Sequence, residues 1–331
     1  MTLTPELLLI ETRSSFEELR FDGFVVKYDG KTIKSFGNTN NYPFFHRSCA
    51  KPLQASIIED LGTQKFWDLS DEEIAVCCAS HTGEPVHTEL INGILSKIGL
   101  TEKDLQCPAI APLNKEEQRK FNVYSKLHNN CSGKHALMLA VCKQMGWNVN
   151  NYLDKFHPLQ IAVYEKIKTL CEFEGEMPYT PDGCTAPNWA TPLENLAKGF
   201  YNVFCANNCI DIKRAFMNNP YLIGGQDRPD TQIMMLSQKL AAKAGAGGIL
   251  CVANTEEKSV LVFKMMSADM KVRSIVAIET MLMLDWVIKN SIDEKLLENS
   301  LNKFVKTETG VIVGEYCLNE NYKHWIETLK I

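Results

Sequence analysis

Apolar runs of strand length occur near both ends of the chain. Near the N-terminal end, residues 24–28 and 31–33 flank Asp29-Gly30, a dipeptide typical of hairpin turns. Further strands are predicted at residues 7–10, 249–253, 259–263 and 311–313. Because these strands lie towards both termini, we expect the two ends of the chain to share one sheet.

Apolar positions recur at helical spacing through most of the region between these strands. Helices are predicted there at residues 48–60, 71–79, 86–98, 115–125, 134–145, 157–172, 191–205, 209–217 and 230–243. Two more are predicted near residues 270–290 and 293–303. The pattern predicts an α+β fold in one domain, 1–331, with a sheet-forming part (1–47 and 245–331) and a mostly helical part (48–244).

The composition is that of an ordinary globular protein, with 45% hydrophobic and 23% charged residues among 331. A net charge of −5 without a Lys/Arg cluster argues against nucleic acid or an anionic membrane as a partner. No apolar run approaches the ~18 residues of a membrane span, and the acidic N-terminal segment is unlike a signal peptide. We therefore expect a cytoplasmic protein whose 12 cysteines are packing residues or metal ligands rather than disulfides.

Residues 47–52 contain the first candidate for catalysis. Ser48 and Lys51 are three residues apart at a predicted helix start, where side chains at this spacing share one face, about 5–6 Å apart at Cβ. A neutral lysine there could activate the serine as a nucleophile, and free N–H groups of the first turn could stabilise an oxyanion. The simpler alternative is that Ser48 caps the helix and Lys51 is a solvated charge.

Two cysteine-containing motifs are candidates for a metal site. Cys131 opens a predicted helix, and Cys184 lies in a tight loop marked by glycine and prolines. Two thiolates with a nitrogen ligand one helical turn away would form a three-ligand zinc site with an open position. His135 is the more usual nitrogen ligand and Lys134 the less conventional one. The alternative is that both cysteines only pack in the core.

A second serine and a distant lysine are further candidates. Ser80 is followed by His81, but adjacent residues point apart in helices and strands, so His81 is poorly placed to activate Ser80. Lys264 closes the strand predicted at 259–263, where its amine faces either solvent, the commoner case, or a cleft.

Taken together, these motifs resemble the rhizobial-type, thermolabile (class 3) L-asparaginase family, or asparaginase II. Its fold is similar to that of serine β-lactamases and serine-dependent glutaminases, which implies an antiparallel sheet flanked by helices. The matching segments, in the family's order, are Arg47-Ser48-x-x-Lys51-Pro52, Ser80-His81, Asn129 to His135, Asp182-Gly183-Cys184-x-Ala186-Pro187-Asn188, and Lys264. The chain departs from the family after Lys264, where the family tends to carry Asp and Gly and this chain has Met265-Met266-Ser267-Ala268.

The resemblance implies two Ser–Lys pairs facing one cleft, Ser48 with Lys51 and Ser80 with Lys264. It implies zinc as cofactor, with Lys134 rather than His135 as the nitrogen ligand beside Cys131 and Cys184. It further implies a homodimer, and substrate binding by the remaining motif residues Arg47, His81, Asn130 and Asp182.

The reaction implied is hydrolysis of the side-chain amide of L-asparagine to aspartate and ammonia. We expect Ser48 to form the acyl-enzyme while Ser80 and Lys264 relay a proton to the ammonia, although the reverse assignment stays open. Zinc would then fix the cleft rather than activate water. The alternatives are a glutaminase or other serine amidohydrolase of the same fold, an enzyme of cell-wall acyl transfer or β-lactam hydrolysis, and a non-catalytic zinc-dependent amino-acid-binding protein. The absence of Ser-Asp-Asn and Lys-Thr-Gly elements opposes acyl transfer and β-lactam hydrolysis.

Overall fold

A computed structural model describes residues 3–120, 122–289 and 294–330 of the chain. In chain order, the strands within these ranges are β1 (Glu6–Arg13), β2 (Phe16–Tyr28), β3 (Ile33–Phe36), β4 (Phe44–Phe45), β5 (Tyr179–Pro181), β6 (Pro187–Thr191), β7 (Leu240–Gly245), β8 (Ile249–Asn254), β9 (Ser259–Met265), β10 (Phe304–Lys306) and β11 (Ile312–Leu318). These strands form two antiparallel sheets of very different size.

The larger sheet has eight strands in the order β10-β11-β1-β2-β9-β8-β7, with β3 paired to β2. Strands β1 to β3 come from the N-terminal part of the chain and β7 to β11 from the C-terminal part. The predicted antiparallel sheet built from both ends of the chain is therefore confirmed. The predicted hairpin is also confirmed, because Tyr28 of β2 pairs with Ile33 of β3 across the Asp29-Gly30 turn.

The helices of the described residues lie mostly between β4 and β7. They are α1 (Lys51–Ala55), α2 (Ile57–Leu61), α3 (Thr63–Trp67), α4 (Asp71–Cys77), α5 (Pro85–Lys97), α6 (Lys115–Gln118), α7 (Ser132–Met145), α8 (Pro158–Leu170), α9 (Leu193–Phe204), α10 (Ile210–Asn218), α11 (Pro220–Gly224), α12 (Pro229–Leu236), α13 (Met270–Met283), α14 (Glu294–Leu301) and α15 (Glu320–Glu327). None of them combines the length and apolarity needed to cross a bilayer.

The large sheet carries helices on both faces. The ring of Tyr28 on β2 meets Tyr201 of α9 at 5.1 Å between centroids. The neighbouring Lys27 donates to the carbonyl of Leu329, just after α15. Because successive strand residues point to opposite faces, α9 and α15 cover opposite sides of the sheet. Strand β8 is consequently buried along its whole length.

The structure differs from the predicted elements in several places, the first of them a helix. The helix predicted at 230–243 ends at Leu236, and β7 begins at Leu240, before the predicted boundary at 245. The alanine-rich run is compatible with a helix, but Gly247 and Gly248, both with positive φ, allow a tight turn that pairs β7 with β8. The pairing with β8 therefore determines the conformation of this segment, although its sequence pattern also fits a helix.

The second difference is a three-stranded sheet, β4-β6-β5, inside the part predicted to be mostly helical. Its strands are two to five residues long, too short for alternation to reveal them. Of the helix predicted at 115–125, α6 forms only residues 115–118, and residue 121 lies outside the described residues. Residues 290–293, on which two predicted helices fall, also lie outside them.

Candidate active site

Ser48 lies on a single 3₁₀ turn, Arg47–Ala50, that continues directly into α1. The backbone N–H of Lys51 donates to the carbonyl of Ser48, and Pro52 occupies the first turn of α1, where no N–H is required. The turn packs on β7, because the thiol of Cys49 donates to the Lys243 carbonyl at 3.0 Å. Cys49 is fully buried, whereas Ser48 is half-buried.

The segment before Ser48 is held by the hairpin β5–β6. The backbone N–H of His46 donates to the Trp189 carbonyl at 3.0 Å. The N–H of Arg47 donates to Oδ1 of Asn188 at 3.1 Å, and its Nε pairs with Asp182 at 2.8 Å. Two of the predicted substrate-binding residues, Arg47 and Asp182, are thus brought together beside Ser48.

Lys51 is 1% exposed, and its amine makes three contacts. Nζ lies 3.0 Å from Oγ of Ser80, 2.5 Å from the Ala79 carbonyl and 2.8 Å from the Asn130 carbonyl. Burial lowers the pKa of Lys51 below its ordinary value, and Cys131 is the strongest opposing influence. A neutral amine has two N–H donors and one lone pair. Two carbonyls and one hydroxyl match that set when the hydroxyl donates, and they match the three N–H donors of the ammonium when the hydroxyl accepts.

The observed pairing therefore differs from the expected one, because the hydroxyl bonded to Lys51 is that of Ser80. Ser80 follows α4, is 2% exposed, and its N–H donates to the Ile223 carbonyl. Within the described residues, no group hydrogen-bonds the hydroxyl of Ser48. Ser48 is the more accessible of the two serines.

Lys264 is held at the turn between β7 and β8. It lies opposite Ile249 in the sheet, and its Nζ donates to the carbonyls of Gly247 at 2.6 Å and Met265 at 3.0 Å. Burial, with a smaller effect of Arg273, lowers the pKa of Lys264. Ser80 is not among its hydrogen-bond partners in the described part of the chain.

Cys131, Lys134 and Cys184 meet next to this cluster, all at most 4% exposed. Cys131 precedes α7, Lys134 lies in its first turn, and Cys184 occupies the turn between β5 and β6. Nζ of Lys134 lies 3.3 Å from the sulfur of Cys184. A hydrogen bond from Cys131 and the charge of Lys134 hold the pKa of Cys184 far below its usual value, although burial opposes this.

These donors fit a zinc ion only if the lysine is counted among them. In the described ranges, no three His, Cys, Asp or Glu side chains are placed to hold a metal ion together. His135 lies beside Cys184, with Nδ1 bonded to the hydroxyl of Tyr152 at 2.7 Å and Nε2 without a nitrogen or oxygen hydrogen-bond partner among the residues that the structure describes. Two soft sulfurs and a buried amine are a donor set that suits Zn²⁺.

The chain was also compared with known protein families. A model of the family described as L-asparaginase II matches residues 10–317 of the 331. The chain belongs to the L-asparaginase II family. It is therefore a hydrolase of the L-asparaginase type. No curated protein matches the sequence in a direct comparison.

The other two substrate-binding candidates of this asparaginase have different surroundings. Asn130 is half-buried, and its backbone carbonyl accepts from Lys51. His81 is fully buried: Nε2 lies 3.0 Å from Oγ of Ser132, and Nδ1 accepts from the N–H of Gly83. Burial, then the neighbouring His87, holds the pKa of His81 well below its usual value. His81 therefore supports the loop behind Ser80 with a neutral ring.

Sequence reasoning missed two side chains near the site of the asparaginase. Lys243 on β7 forms a fully buried ion pair of 2.6 Å with Asp230 on α12, directly behind Cys49. Asn188 on β6 binds the backbone of Arg47. Asn188 stood inside a recognised motif, but its role depends on the contact between the hairpin and the turn, which no spacing reveals.

Proposed function

We propose that the chain hydrolyses L-asparagine through a covalent intermediate on Ser48, with Ser80 and Lys51 moving the proton. The observation that carries this is the contact of the Lys51 amine with the Ser80 hydroxyl and two carbonyls, one turn from an accessible serine. A base must lie within hydrogen-bond reach of the proton it takes, or be connected through one intervening group.

In the first half of the reaction, Oγ of Ser48 attacks the carbon of the side-chain amide. The hydroxyl proton passes to Oγ of Ser80, through one water or directly once substrate is bound, and the Ser80 proton passes to the neutral amine of Lys51. The tetrahedral intermediate collapses when the C–N bond breaks and the relay returns one proton to the leaving nitrogen, releasing ammonia. Water then attacks the aspartyl ester through the same relay and frees Ser48.

Two further residues of the cleft have supporting roles in this proposal. Arg47, whose side chain is 36% exposed and paired with Asp182, offers a cation to the α-carboxylate of asparagine. Lys264, whose amine is held by two carbonyls, contributes positive charge to the wall of the cleft and takes no part in the proton relay.

We also propose that Cys131, Lys134 and Cys184 hold a zinc ion and that the protein is a homodimer. When bound, zinc would fix the turn between β5 and β6 and attract the polar groups of the substrate. The geometry supports this, because the Lys134 amine lies 3.3 Å from the Cys184 sulfur and Cys131 lies beside both. Metal analysis of the purified protein, with Cys184→Ala as comparison, and sedimentation analysis test the two proposals. Protein that lacks zinc, or sediments as a monomer, contradicts them.

The mechanism is tested by measuring ammonia release from asparagine and, in parallel, from glutamine. We expect Ser48→Ala to abolish turnover, and Ser80→Ala and Lys51→Met to lower kcat by about 10²- to 10⁴-fold. Retention of kcat by Ser48→Ala contradicts the assignment of the nucleophile. Faster turnover of glutamine would identify a glutaminase instead, since one methylene changes selectivity by only about 1–3 kcal/mol. Binding of asparagine without ammonia release would indicate a non-catalytic binding protein.

A further inference from the structure

Arg47, the residue immediately before Ser48, has a left-handed backbone conformation with φ of +50°. This region is costly for a residue with a long side chain, so it persists only where the surroundings hold it. The side chain of Arg47 is tied to Asp182, but that contact does not determine φ. The N–H of Arg47 donates to Oδ1 of Asn188 at 3.1 Å, which holds the peptide plane on one side of the N–Cα bond about which φ is measured, while the 3₁₀ turn holds the other side.

Asn188 is well placed to act as a rigid acceptor. It is 3% exposed and paired with Thr180 in the β5–β6 hairpin. A backbone N–H can only donate, so the contact fixes the amide oxygen, rather than the nitrogen, towards Arg47. The same strand also binds the preceding residue, because Oγ1 of Thr191 lies 2.8 Å from Nε2 of His46.

We propose that Asn188 is a positioning residue for the nucleophile of this asparaginase. Its side-chain oxygen holds Arg47 in the left-handed conformation and so sets the direction in which the side chain of Ser48 points from the turn. The inference rests on the proposed function in one respect, that Ser48 is the nucleophile. Asn188 acts through Arg47 and need not touch the substrate. Misplacing a nucleophile slows attack while leaving most substrate contacts intact, so the effect falls on kcat.

The experiment measures kcat and KM for asparagine in the wild type and in variants of Asn188 with Arg47 either retained or replaced by glycine. We expect Asn188→Ala to lower kcat about 10- to 100-fold with KM changed less than about threefold. Asn188→Asp retains an acceptor oxygen and should keep kcat within about threefold of the wild type. Glycine adopts positive φ without strain, so in an Arg47→Gly background the further loss caused by Asn188→Ala should fall below about threefold.

Asn254→Ala is the matched control. Asn254 is also fully buried and also accepts backbone N–H groups, those of Glu256 and Glu257, but at the far end of β8 from Ile249. It should lower the melting temperature and leave kcat unchanged. If Asn188→Ala does not fold, Asn188→Ser carries the same expectation, because its shorter side chain cannot reach the Arg47 N–H.

Two results overturn the inference: an equal loss from Asn188→Ala in both Arg47 backgrounds, or an Asn188→Asp variant as slow as Asn188→Ala. Ser48→Ala is measured in the same series. Retained activity of Ser48→Ala refutes the proposed nucleophile. Its loss, combined with equal Asn188 effects in the two backgrounds, refutes only the positioning role.

Discussion

At the scale of single residues, the protonation of Lys51 depends on charges of both signs around a buried amine. Burial favours the neutral form, as do the positive charges of Lys134 and Lys243, while Cys131 and Cys184 favour the charged form. Nζ donates to the carbonyls of Ala79 and Asn130 and contacts the Ser80 hydroxyl, which accepts from the ammonium and can donate to the lone pair of the neutral amine. In its neutral form, which burial favours, Lys51 can accept the proton of Ser80 during catalysis.

The first prediction concerns the pH dependence of kcat. Because Lys51 must be neutral to act as a base and its pKa is lowered, kcat should rise as pH increases through that lowered pKa and stay high above it. In Lys51→Met this rising limb should disappear, with residual activity that no longer follows pH in that range. Steady-state assays across pH measure it. The same limb persisting in Lys51→Met would show that another group controls it.

The direction in which stability changes with pH follows from the same lowered pKa of Lys51. A lysine with a lowered folded pKa binds fewer protons in the folded than in the unfolded state, so its contribution to stability increases with pH up to the unfolded value. Lowering the pH through the folded pKa charges the buried amine. Denaturant unfolding at several pH values should show this slope in the wild type and lose it in Lys51→Met.

At the scale of elements, one motif places two helices so that their backbones nearly touch. Gly133 lies in the first turn of α7, and a Cβ there would come within 2.1 Å of the Val76 carbonyl on α4. This close approach sets the position of α7, which carries Lys134 and follows directly on Asn130. The glycine between Cys131 and Lys134 is therefore required by packing.

The second prediction compares two glycines in helices. Gly133→Ala should destabilise the protein by about 1–3 kcal/mol, because backbone must move to admit the methyl group, and should also lower kcat by displacing α7. Gly93→Ala, in the middle of α5, meets only the Glu73 carboxylate at 3.5 Å and should stabilise the protein, since alanine is the better helix former. Thermal denaturation and steady-state measurement of kcat test both variants. A neutral Gly133→Ala would contradict the packing argument.

The sequence predicted secondary-structure elements correctly where a single hydrophobic periodicity extends over a long segment. The strands near residues 259–263 and the helix at 134–145 are examples, and both are close to the observed β9 and α7. Strand β7 was missed because its buried residues fit a helix equally well. The motifs named the residues at the site, but the bonding of Lys51 to Ser80 depends on how α1 and the segment after α4 pack. Such contacts between distant segments leave no periodic pattern.

At the scale of the whole molecule, the sheet and the helical part are joined by a buried charge pair. Lys243 of β7 and Asp230 of α12 are both completely buried, with Nζ and Oδ1 2.6 Å apart. The same carboxylate oxygen accepts the N–H of Ala244. The pair therefore fixes the edge strand of the sheet to a helix from the other part of the chain, beside the turn that carries Ser48.

The third prediction follows from removing one or both of these charges. Lys243→Met leaves a buried carboxylate unpaired and should lower the free energy of unfolding by about 3–5 kcal/mol. The double variant Lys243→Met/Asp230→Asn should recover most of this loss, because the remaining amide is neutral and its oxygen still accepts the Ala244 N–H. Denaturant unfolding measures both.

The exposed pair of Arg13 and Glu18, 2.7 Å apart, is the control for that comparison. Glu18→Gln should change stability by less than about 1 kcal/mol, because solvent screens an exposed ion pair. A double variant no more stable than Lys243→Met would mean that the loss comes from packing around β7 rather than from the isolated charge. Recovery in the double variant would show that the loss of stability comes from the unpaired charge of Asp230. The Lys243–Asp230 pair would then stabilise the contact between α12 and the edge strand β7, which lies beside the Ser48 turn.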